Sequence, residues 1–117
     1  MKLHRLCQLA FWGAALFALV MASLPKPPLL PGNPDDKVQH IIAFTVLAIL
    51  AVLAFRRTPL PAIAVGLSLF GAAIELIQLI PQLNRDGSWL DWVADTAAVV
   101  AVLGVVWGYR RFLPKAA

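Results

Sequence analysis

Leu60-Pro61-Ala62-Ile63-Ala64-Val65-Gly66-Leu67-Ser68-Leu69-Phe70-Gly71-Ala72-Ala73-Ile74-Glu75-Leu76-Ile77-Gln78-Leu79-Ile80 is the run whose reading decides the class of this chain. At a rise of about 1.5 Å per residue, a run of this length crosses the roughly 30 Å of bilayer hydrocarbon as one helix. Glu75 and Gln78 interrupt it near one end, three residues apart and therefore on one helical face. An acidic residue at the centre of such a helix costs about 2.5 to 3.5 kcal/mol, less near an interface, so it needs a partner, water or a changed protonation state. Glu75 is a functional-site candidate on that ground alone.

Working outward, three further runs have the same character: Leu6 to Leu24, Val38 to Phe55, and Trp89 to about Trp107. The chain is 61% apolar and only 14% charged, whereas soluble proteins carry about a quarter charged residues. The expected fold is an all-α membrane protein, four transmembrane helices in an up-down-up-down bundle, forming a single domain over residues 1–117. Cys7, the sole cysteine, cannot form an intramolecular disulfide and reads as a small lipid-facing or packing residue. Lys2, His4 and Arg5 before an apolar run also fit a secretory signal, with Val20-Met21-Ala22 as the cleavage site. The apolar stretch exceeds the usual signal core of about 7 to 15 residues, which favours a retained spanning helix.

Charge sets the orientation. Lys2 and Arg5 precede the first run, Arg56 and Arg57 fill the turn between the second and third, and Arg110, Arg111 and Lys115 follow the fourth. The other two loops hold only Lys26, Lys37 and Arg85. By the positive-inside rule both termini and the Arg56-Arg57 turn are cytoplasmic, as in a multi-pass protein of the bacterial inner membrane. All the acidic residues, Asp35, Asp36, Glu75, Asp86, Asp91 and Asp95, then fall on the outer side or in the outer half of a span. The net charge of +4 is a topology signal. Basic residues divided among three membrane flanks argue against a nucleic-acid partner.

Between the first two runs, Pro25 to Pro34 is too rich in proline for a helix and is expected to run partly as polyproline II. Asn33 and Pro34 read as the cap and first position of the second helix, with Asp35 and Asp36 at its positive end. Arg56-Arg57-Thr58-Pro59 is a tight turn that makes the second and third runs an antiparallel hairpin. Ser88-Trp89-Leu90-Asp91 is a loose capping box. Trp89 and Trp92 mark the outer interface, Trp107 and Tyr109 the inner one.

Helical spacing groups the polar residues. Asp36, Lys37, His40 and Phe44 share one side of the second run, with Gln39 pointing elsewhere; Gly71, Ala72, Glu75 and Gln78 share a face of the third; Asp91, Asp95 and Ala98 share one of the fourth. The small residues Gly71 and Ala72 let another helix approach closely. With the outer boundary near Val38, Ile80 and Asp91, His40 and Gln78 lie about 3 Å deep, Asp95 about 6 Å and Glu75 about 8 Å. These depths point to one polar cavity in the outer leaflet.

The segment Asp36-Lys37-Val38-Gln39-His40 with Phe44, then Glu75-Leu76-Ile77-Gln78, then Arg85, Ser88, Asp91 and Asp95, resembles the VanZ-like family of small membrane proteins, named for a teicoplanin-resistance accessory protein. The resemblance covers Asp36 to about Gly104. Asp95 stands where that family often has Asn, and Ala98 where Gly commonly follows. The resemblance implies a cell-envelope role with lipoglycopeptide tolerance and carries over no reaction.

On the residues themselves, His40, Glu75, Gln78, Asp91 and Asp95 are candidates for ligand contact, with Lys37 and Arg85 at the mouth to meet an anionic head group. The expected ligand is amphipathic: a membrane lipid, a lipid-linked cell-wall precursor or a lipoglycopeptide. Plainer readings stand beside this one. Glu75 and His40 can simply lock helices together, Lys37 and Arg85 can simply offset nearby carboxylates, and the chain can be an assembly subunit of an envelope complex. An enzyme acting on a lipid head group would use His40, Glu75, Asp91 and Asp95, yet no nucleophile with an evident base accompanies them. A single His with scattered carboxylates lacks the repeated spacing of a zinc motif, so no metal or other cofactor is expected.

Overall fold

The computed structural model describes residues 3–24, 36–80 and 89–112, with side chains from residue 38 onward in the second segment. These hold four helices and no strand: α1 Leu3–Ser23, α2 Asp36–Ala54, α3 Leu60–Gln78 and α4 Trp89–Phe112. Helices α1, α3 and α4 are long and apolar enough to cross a membrane; the apolar part of α2, Val38–Ala54, is shorter. The proline-rich segment from Pro25 to Pro34, the Asn33 cap, and Arg85, Asp86 and Ser88 lie outside the described residues.

Local chemistry accounts for the boundaries. Phe55 still bonds back to the Ala51 carbonyl (2.8 Å) and Thr58 to that of Phe55 (3.1 Å), so the chain reverses through Arg56 and Arg57 as the basic, proline-ended turn predicts. Pro59 caps α3 with extended backbone, and its carbonyl accepts from Ala62 and Ile63. Pro61 sits in the first turn, where its missing N–H has no helical bond to lose. Helix α4 runs past Trp107 to Phe112, which places Arg110 and Arg111 in its last turn against the negative end of the helix dipole.

Helix α2 is the hub, packing on α1, α3 and α4, and more extensively on α4 and α1 than on α3, its neighbour in sequence. Ala48, Ala51 and Ala54 are buried along it, and their small side chains admit neighbouring helices. The core also contains Phe44, Leu47, Ile74, Val99 and Leu103. At one end Gln8 donates to the Ala54 carbonyl (3.2 Å), one of the last carbonyls of α2 that the helix leaves open. Phe11 meets Phe55 edge to face there, centroids 5.3 Å apart. At the other end Gln78 Nε2 donates to the Ala22 carbonyl near the end of α1 (3.4 Å). The outward faces carry Leu9, Leu16, Phe17, Leu69, Leu76 and Val105, all more than half exposed, a surface suited to lipid tails rather than to water.

Candidate functional site

Each helix reaches the polar end by a different route. On α2, His40 and Phe44 are buried one turn apart, followed by Leu47 and Ala48. On α3, Ile63, Leu67, Gly71, Ile74, Glu75 and Gln78 form the buried face, so Glu75 continues an apolar stripe. On α4, Asp91, Asp95, Val99 and Leu103 are buried at four-residue intervals, while Ala98 is only half-buried. The carboxyl positions of α3 and α4 are thus core positions held by polar residues.

His40 Nδ1 lies 2.9 Å from Asp95 Oδ1, within hydrogen-bonding distance, and 3.4 Å from Glu75 Oε1. Asp95 and Gln78 are fully buried, and Asp91 is 6% exposed one turn before Asp95. The three-helix grouping expected from helical depth is therefore what the structure contains for His40, Glu75 and Asp95, with Gln78 and Asp91 buried on the same faces. Lys37 has no described side chain and Arg85 lies outside the described residues, so the anionic-head contact assigned to them has no geometry here.

The space at Gly71 explains how Asp95 fits. A Cβ on Gly71 would stand 2.9 Å from Asp95 Oδ2 and 3.5 Å from Asp95 Cβ, so the carboxyl occupies the volume an alanine would fill. Oδ2 of Asp95 and Oε1 of Gln78 are buried acceptors that have no hydrogen-bond partner among the described residues. An unmet buried acceptor costs about 1 to 3 kcal/mol, and a charged one more, which favours occupation by water, a ligand donor or a cation.

An apolar cleft of about 330 Å³ borders this cluster, walled by Phe17 and Met21 of α1, Ala43 and Leu47 of α2, and Ile74 of α3, with Gln39 and His40 also lining it. One sequence reading changes here. The cleft is walled chiefly by α1 and α2 and adjoins the polar grouping of α2, α3 and α4 at His40. Gln39 lines it together with His40, although its spacing from Lys37 and Phe44 suggested that it faced away. Adjacent residues on a helix are only about 100° apart, and a cleft at a helix flank takes in both.

Two polar contacts have no counterpart in the sequence reading. Ser68 Oγ and Thr96 Oγ1 hydrogen-bond between α3 and α4 (3.0 Å), and Trp92 Nε1 donates to the Ser68 carbonyl (3.0 Å). The available signal was Ser68 seven residues before Glu75, two turns along the same helix. Comparison with protein-family models, with curated proteins and with solved structures found no match. The VanZ-like resemblance accordingly rests on the residue pattern alone.

Proposed function

We propose that this chain is a four-span protein of the bacterial inner membrane, with both termini cytoplasmic, that binds an amphipathic ligand at the outer leaflet. The observation that carries this reading is the apolar cleft lined in part by His40, whose Nδ1 belongs to the buried carboxylate cluster. One side chain thus joins a channel for an acyl chain to a polar group suited to a head group. The cleft volume of about 330 Å³ is at the low end for small-molecule sites, which fits one chain segment rather than a whole lipid.

The up-down-up-down order is supported by which ends meet: Gln8 with Ala54, Gln78 with Ala22, and His40 with Glu75 and Asp95. Arg5, Arg56, Arg57, Arg110 and Arg111 all belong to the opposite end, as the positive-inside rule requires of the cytoplasmic side. Helix α2 crosses as the central element, its shorter apolar stretch shielded by three neighbours. Phospholipid, a lipid-linked cell-wall precursor and a lipoglycopeptide all meet this chemistry, and the VanZ-like pattern adds teicoplanin tolerance to the reading.

The test compares the native protein with Ala43→Phe, which fills the cleft, and with His40→Ala, Glu75→Gln and Arg85→Ala, all at equal membrane levels. Retained phospholipid per chain after detergent exchange, measured by mass spectrometry, is expected to fall in Ala43→Phe and His40→Ala, and teicoplanin susceptibility to rise. Unchanged lipid and unchanged susceptibility across the set would remove the binding reading.

A further inference from the structure

Three donor atoms on three helices converge at the buried end of the bundle: a ring nitrogen of His40 and one carboxylate oxygen each from Glu75 and Asp95, all within 4.8 Å of one another. Nδ1 of His40 stands 2.9 Å from Asp95 Oδ1 and 3.4 Å from Glu75 Oε1. Two ligands bound to one ion at about 2.1 Å are about 3.0 Å apart at a right angle and about 3.4 Å apart at the tetrahedral angle. Both observed spacings, which also suit direct hydrogen bonding, match those of neighbouring ligands on a single ion.

Charge and unmet acceptors point the same way. With the imidazole neutral, ionised Glu75 and Asp95, with the buried Asp91 carboxylate one turn from Asp95, gather negative charge in a region enclosed by apolar helices, and a divalent cation offsets it. Asp95 is fully buried, and its Oδ2 has no hydrogen-bond partner among the described residues, although its Oδ1 faces His40. Gln78, also fully buried, holds a second such acceptor on the buried face of α3 that carries Glu75. One imidazole with two carboxylates is a mixed nitrogen and oxygen set, which suits a borderline divalent ion better than calcium or copper(I).

We propose that His40, Glu75 and Asp95 bind one divalent cation of the zinc and manganese class. With the ion bound, the Nδ1 lone pair faces it, the direct His40–Asp95 hydrogen bond gives way to shared ligation, and the imidazole proton resides on Nε2. Three protein ligands leave coordination positions open, as in sites that take water or a substrate oxygen. Because His40 also borders the apolar cleft, the ion stands where an acidic head group would arrive, and its open positions suit phosphate or carboxylate oxygen. This goes beyond the lipid reading and holds for the protein without lipid.

The test uses the full-length protein in detergent, freed of metal with a chelator, loaded with Zn2+ or Mn2+, desalted, and assayed by elemental mass spectrometry. The expected result is about one Zn2+ or Mn2+ per chain, with affinity lowered about tenfold or more in His40→Ala and Asp95→Asn. Cys7→Ser and His4→Ala should retain the metal. Co2+ loading should give weak visible bands without a thiolate charge-transfer band. The proposal is overturned if the native protein retains neither ion, if both site variants retain it undiminished, or if Co2+ shows thiolate ligation. Should a site variant fail to fold, the native stoichiometry and the Co2+ spectrum still decide. Metal retention by delipidated protein is read separately from lipid retention, so failure of one proposal is distinguishable from failure of the other.

Discussion

Gly71 sets how closely α4 can present Asp95 to His40, because the Asp95 carboxyl fills the place of a Gly71 side chain. In Gly71→Ala the new methyl must displace Oδ2, which belongs to a fully buried residue held by His40, and Phe44 closes the other side at 3.4 Å. The expected cost is about 1 to 3 kcal/mol, measured as unfolding in detergent. Gly66→Ala is the control: nothing lies within 4 Å of its added Cβ, so it should not lower stability. Asp95→Ala should be worse than Asp95→Asn, by about 1 to 3 kcal/mol, because both lose the charge but only Ala leaves His40 without a polar partner there and opens a hole. Equal melting of the two variants would count against the His40–Asp95 contact. The presence of Glu75, His40 and Asp95 as misplaced polar groups was legible from the apolar runs around them. Which atom of His40 meets which carboxylate was not, since that depends on the rotation of three helices about their own axes.

Between elements, α3 and α4 are joined by a hydroxyl pair as well as by the carboxyl cluster. Ser68→Ala should destabilise the protein by about 0.6 kcal/mol, and the double variant with Thr96→Ala should cost little more than either single one, because the two share one bond. A double-mutant cycle in detergent checks this, and simple additivity would show that the pair contributes nothing. Helix limits were largely readable: the turn at Arg56 to Pro59 and the α3 run stand where basic, proline-bounded sequence put them. The extension of α4 to Phe112 was missed because Tyr109, Arg110 and Arg111 are polar enough to leave the hydrocarbon while remaining good helix formers at the negative end of the dipole. The role of α1 as a cleft wall was also hidden, because beyond Arg5 in its first turn its sequence carries no charge, and none near Phe17 or Met21.

Across the whole molecule, the bundle separates its described charges end from end, with arginines at one end and carboxylates buried towards the other. In a Cys7→Ser background, Leu24→Cys at the end of α1 and Phe112→Cys at the end of α4 should face opposite sides. A membrane-impermeant maleimide added to intact spheroplasts is expected to modify Leu24→Cys alone, and both after permeabilisation; the reverse pattern would invert the orientation. By itself the sequence determined the helical class, the apolar surface, the turn between α2 and α3, and the residues that could not be lipid-facing at no cost. Those properties follow from composition and period along one chain. Only the tertiary structure decided that α2 is the hub, that the cleft lies against α1, and that His40, Glu75 and Asp95 meet. Such contacts depend on how helices remote in sequence approach and rotate against one another, and at Gly71 that approach is set by the absence of a single methyl group.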